Sequence, residues 1–128
     1  MGEAMIETLL ERVAETGEDP TARIYERLFA ARPELEALFV LDTDGGVRGS
    51  MVQTCVECAL DLAGPRTTAP FIIAAARTDH EGYGVEADVF DAFFAVMGEV
   101  FSDMLGAGWT PEFDAAWRGL TEDVAALR

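Results

Sequence analysis

Apolar residues recur at spacings of three and four along almost the whole chain. Met5, Ile6, Leu9, Leu10 and Val13 set out a first amphipathic helix, which Thr16-Gly17 ends. Asp19-Pro20 starts a second, with aspartate in the capping position and proline at the first helical residue. Its apolar face is Ile24, Tyr25, Leu28 and Phe29. Pro33 interrupts the run, and residues 34–39 make a short further turn of helix. Asp42-Thr43-Asp44-Gly45-Gly46 has turn chemistry and reads as a loop, without the spaced acidic ligands of a calcium site. A helix over about 47–62 follows, with Met51, Cys55, Cys58 and Leu62 on one face, and Gly64-Pro65 closes it. A shorter apolar helix opens near Thr68 and Pro70 and runs to His80. Val89, Phe93, Val96, Met97, Val100, Phe101 and Met104 trace a long helix with an aromatic face. Thr110-Pro111 opens the last, whose stripe is Phe113, Trp117, Leu120, Val124 and Leu127. Nothing alternates as a strand does. The expected class is all-α, with six or seven helices of unequal length, which does not suit a simple four-helix bundle.

Length and charge narrow the picture. The 128 residues make one domain, 1–128, and half of them are hydrophobic, enough for a real core. No apolar run approaches a membrane span, and Met1-Gly2-Glu3-Ala4 lacks the start of a signal peptide, so a cytoplasmic protein is expected. The net charge is −15, and all nine positive charges are arginine. Such a surface repels nucleic acid and anionic membranes, so neither is an expected partner. The two cysteines, Cys55 and Cys58, fit a reducing compartment. Their C-x-x-C is followed by Ala59 rather than histidine, which does not support covalent haem attachment. Small core residues are the expected reading.

The chain has one histidine. His80 closes the apolar helix and precedes Glu81-Gly82-Tyr83-Gly84-Val85, a glycine-rich corner. Such an imidazole either satisfies a backbone carbonyl near a helix end or offers a nitrogen ligand to a cofactor in the core. His80 alone does not decide between them.

The order of these pieces resembles a globin over most of the chain. Ile24-Tyr25-Glu26-Arg27-Leu28-Phe29, Arg32-Pro33-Glu34-Leu35 and Leu38-Phe39 are similar to the second and third helices of bacterial single-domain globins and of flavohemoglobin globin domains. The corner after His80 is similar to the one that follows the family's proximal histidine. Trp109-Thr110-Pro111-Glu112 and Ala116-Trp117 resemble the opening of the last globin helix. The resemblance implies a three-over-three globin fold around b-type haem, with His80 as the axial ligand of the iron. It places Tyr25 and Phe39 in the pocket, the first on the distal side and the second stacked on the macrocycle. Val85, Phe90 and Phe93 would supply a wall. A haem ligand needs an acceptor on its second nitrogen, and the Ala76 carbonyl lies four residues before His80.

Two departures from the family pattern shape the expected function. Neither His nor Gln stands at the distal gate. Aligning Met51 over the iron leaves Val47 at the gate, and a shift by one puts Arg48 there. Tyr25 is then the candidate donor to bound dioxygen, although a tyrosine on an apolar face is commonly a core residue. Flavohemoglobins also support the proximal histidine with a tyrosine and a late glutamate. Here Phe90 takes the tyrosine position and Arg128 comes before any such glutamate. The expectation is a haem globin that reversibly binds dioxygen or a related diatomic gas. Nitric oxide turnover would need a separate reductase. The alternative is a globin-fold sensory or protein-interaction module, with haem absent or serving only as signal.

Overall fold

The computed structural model describes residues 2–127; Met1 and Arg128, the ends of the expected 1–128 domain, lie outside the described residues. Six α-helices run in order: α1 (Gly2–Glu15), α2 (Thr21–Ala31), α3 (Gly46–Ala63), α4 (Ala69–Gly82), α5 (Ala87–Leu105) and α6 (Pro111–Ala126). Pro33–Phe39 is 3-10 helix, as is the short turn Gly106–Gly108. No strand occurs among the described residues.

The helix ends show where local sequence was sufficient and where it was not. Thr110 caps α6 through its side-chain oxygen, which accepts from the Phe113 N–H at 3.1 Å. Asp19 accepts from Thr21 N–H at 2.9 Å, so the aspartate does cap α2, but the helix proper begins at Thr21 rather than at Pro20. α4 starts near Thr68 as expected. Thr68 makes no side-chain cap there. The cap is Asp61, near the end of α3, whose carboxylate accepts from the backbone of Thr67, Thr68 and Ala69 at 3.2, 3.0 and 2.7 Å. One side chain thereby closes the corner between two helices. Those bonds, the Ala69 N–H foremost, outweigh burial and hold the Asp61 carboxyl below its ordinary range.

Much of the core comes from the stripes read from the sequence, joined by Val52, Ala59, Ile73 and Phe94, which no stripe included. Ile6, Leu9 and Val13 of α1 are buried with Ile24 and Leu28 of α2 and with Phe113, Trp117, Leu120 and Val124 of α6. Phe101 is buried and Met104 is half-buried against the core. α1 packs across α3, α5 and α6, while α5 also packs on α2 and α4.

Two close approaches fix α5. Gly98 faces the Trp117 indole, and an added Cβ would stand 2.4 Å from its Cδ1. The indole N–H donates to the Phe94 carbonyl at 2.7 Å, and the ring meets Phe101 edge-on at 5.3 Å. The second approach is a buried arginine. Arg77 of α4 is 5% exposed, forms an ion pair with Asp91 of α5, and donates to the carbonyls of Val124 and Leu127 at 2.8 and 3.0 Å. These carbonyls lie at the C-terminal end of α6, where helical donors run out; the Val124 carbonyl also accepts from the Leu127 N–H at 3.1 Å.

Gly98→Ala is expected to cost about 1–3 kcal/mol, because backbone of α5 and the indole cannot both keep their places. Urea unfolding followed by tryptophan fluorescence measures it. An unchanged midpoint would show that the two helices separate freely.

Candidate functional site

α4 delivers His80 at its last turn, and the chain then reverses through a Schellman motif. Gly84 takes a left-handed conformation (φ 84°), and its N–H donates to the Glu81 carbonyl at 3.0 Å. Val85 N–H returns to the His80 carbonyl at 2.9 Å. Glycine is required at 84 because a side chain strains that backbone conformation. The reversal brings Val85 back over the same space that His80 faces.

That space is a cavity of about 530 Å³ between α2, the 3-10 segment, α3, α4 and α5. It falls within the size range of cofactor pockets, roughly 300–1,000 Å³. His80 and Ala76 line it from α4, and Val85 from the corner. Phe90 and Phe93 line it from α5, Tyr25 from α2, and Phe39 from the 3-10 segment. Val47 and Met51 line it from α3. These nine residues of the expected pocket therefore all stand on the cavity wall. Arg48, the alternative at the gate, does not. Its guanidinium folds back on Asp42, with Nε 3.0 Å from Oδ2 and Nη2 2.9 Å from the Asp42 carbonyl.

The histidine is oriented by backbone. Its Nδ1 lies 2.7 Å from the Ala76 carbonyl oxygen. A carbonyl only accepts, so Nδ1 carries a hydrogen, and in the neutral ring the lone pair is then on Nε2. Phe90 meets the imidazole edge-on at 5.1 Å. On its other side Phe90 carries the Arg77 guanidinium 4.9 Å from the ring centroid. Arg77 thus fixes α4 one turn before the histidine. The sequence reading missed it; its signal was a lone charge in the middle of an apolar helix.

Tyr25 sits opposite, 3% exposed, with Phe29, Phe39 and Phe93 around it at ring distances of 5.7, 5.3 and 5.6 Å. Its hydroxyl donates to Met51 Sδ at 3.4 Å. Burial first, and then the nearby Cys55 thiol, push its ionisation well above that of a free tyrosine. Cys55 and Cys58 also line the cavity, which a plain core reading did not place there. Burial pushes the Cys55 thiol up to about 12, so it is no nucleophile at neutral pH.

A family model described as Globin matches residues 22–127. The chain belongs to the globin family. No curated protein and no solved structure matches it in the same comparisons. Globins in general bind haem and, through it, diatomic gases.

The start of α3 in this globin depends on Asp42, which the sequence reading left in a loop. Its buried carboxylate accepts from the backbone N–H groups of Val47 and Arg48, both at 3.0 Å. Burial alone would raise its pKa, but these bonds and the Arg48 guanidinium prevail and hold it below the ordinary carboxylate range. Gly45 turns the chain into the helix in a left-handed conformation, φ 74°.

Tyr25 in the folded globin is expected to resist ionisation. The unfolded chain sheds that proton near pH 10, whereas the folded state retains it to higher pH. Stability is therefore complete below about pH 10 and falls as pH rises beyond it. In a Tyr83→Phe background, alkaline difference spectra should show the Tyr25 phenolate only together with loss of helical circular dichroism. A phenolate signal preceding unfolding would contradict the buried placement.

Proposed function

We propose that this globin binds b-type haem through His80 Nε2 and uses it to bind dioxygen or a related diatomic gas reversibly. The observation that carries the proposal is the 2.7 Å bond from Nδ1 to the Ala76 carbonyl, which leaves the other imidazole nitrogen as a neutral donor on the wall of an apolar cavity. That is the protonation state a metal ligand needs, with the outer nitrogen held by an acceptor. Phe39, Val85, Phe90 and Phe93 supply the apolar surface that a flat macrocycle requires. When bound, haem supplies an iron centre with one position free for a gas.

The chain's own residues then divide the labour. His80 is held by a backbone carbonyl, a weaker acceptor than a carboxylate, so the imidazole stays neutral. Phe90 offers no hydroxyl where flavohemoglobins have tyrosine. This favours reversible binding over peroxidase-like chemistry. Val47 and Met51 add apolar surface to the wall formed by α3. Tyr25 brings a hydroxyl that stays protonated and can donate to the outer atom of a polarised gas. Turnover of nitric oxide would draw electrons from a separate reductase.

Purified protein supplied with haem should show an intense Soret band, and His80→Ala should lose most of it, because the chain holds no second histidine. Wild-type protein that takes up no haem in reconstitution would overturn the proposal. Tyr25→Phe should speed dioxygen release by about one to two decades, the effect of a hydrogen bond worth roughly 1.5–3 kcal/mol to a polarised acceptor. Stopped-flow release rates equal in the two proteins would make Tyr25 a core residue only.

A further inference from the structure

We propose that Met51 sets the ligand selectivity of the pocket by competing for the Tyr25 hydroxyl; the inference rests on the haem reading above. Tyr25 has one hydroxyl hydrogen, and at ordinary pH burial keeps it on the oxygen. That hydrogen is given to Met51 Sδ at 3.4 Å. The tyrosine ring is packed among three phenylalanines, so the hydroxyl chooses only among acceptors that come within its reach. Both residues line the cavity that holds His80.

A thioether is a weak acceptor. It is enough to satisfy a buried hydroxyl that would otherwise be left unpaired. It is not enough to keep that hydrogen from a ligand whose outer atom gathers negative charge. Dioxygen is such a ligand once electron density moves onto it, and carbon monoxide is much less so. The Tyr25 hydroxyl therefore leaves Met51 for the first and stays with Met51 for the second. Every polar ligand must displace the thioether, and its affinity is lowered by that exchange. Methionine suits the role because its unbranched side chain can withdraw once the hydrogen has gone. Met51 is thus a positioning residue acting through Tyr25.

The test is a double-mutant cycle of Met51→Leu and Tyr25→Phe. Leucine conserves volume and removes the acceptor, so the fold should tolerate it. Met51→Leu should raise dioxygen affinity about three- to tenfold, the worth of one weak hydrogen bond no longer broken on binding. Carbon monoxide affinity should change less. The C–O stretch of the carbon monoxide complex should fall, since the hydroxyl freed from Met51 becomes available to the bound carbon monoxide. Both effects should vanish when Tyr25→Phe is present as well. Haem-free protein gives a second readout. In a Tyr83→Phe background, the tyrosine Fermi doublet in ultraviolet resonance Raman spectra should change with Met51→Leu. A Soret band in all variants with an unmoved C–O stretch overturns the proposal alone. So does an unchanged Fermi doublet, or an affinity change that is the same with and without Tyr25→Phe. Wild-type protein with no Soret band overturns the haem reading and this proposal with it.

Discussion

A buried guanidinium holds the His80 half of this globin together. Arg77 leaves α4 inside the protein, meets Asp91 on α5, and closes off the Val124 and Leu127 carbonyls at the end of α6. Arginine suits this position because its planar fork can serve a carboxylate and two carbonyls at once. Lysine would offer one point of charge on a flexible stem. Removing either member of a buried pair leaves an uncompensated charge, at a cost of about 3–5 kcal/mol. The position of α4, and so of His80 one turn later, depends on that arrangement. Phe90 lies between the two residues, against the guanidinium on one side and the imidazole on the other.

The same logic recurs at the corners with carboxylates. Asp61 belongs to α3 and starts α4; Asp42 precedes α3 and starts it from five and six residues away. In each case a carboxylate accepts several orphan N–H groups at a helix N-terminus, where the macrodipole also favours negative charge. An acidic chain has many such groups to spend in this way. The charge of −15 is in part structural: Asp42, Asp61 and Asp91 each hold two elements in register.

The helices and their buried stripes were legible because each has a strong period and a clear stop. The Thr110-Pro111 start and the glycine corner after His80 are purely local signals, and both stand as read. The His80 to Ala76 bond followed from a spacing of four on one helix. What was not legible depends on partners distant in sequence. Nothing around Thr68 reveals that the cap comes from Asp61, and nothing near Arg77 points to Asp91 or Val124. Gly98 reads as a weak point in a helix until Trp117 is seen against it. The choice between Val47 and Arg48 was open for the same reason. It turned on whether Asp42, in a segment that reads as loop, would draw the arginine away from the cavity.

The two faces of the cavity are built on different physical terms. On the His80 side, the imidazole is set by a backbone carbonyl within one helix, and that helix is pinned by buried charge. Little there can move without breaking an ion pair. On the Tyr25 side, the donor is held by a thioether and by aromatic contacts, each weak and each adjustable. Arg48 is committed to Asp42 and lies outside the lining. With haem held as proposed, a stiff His80 side would fix where a ligand binds. A Tyr25 side made of weak, exchangeable contacts would let the ligand's own polarity decide how firmly it is kept. Selectivity in such a pocket would come from the low strength of the contact that the ligand must replace.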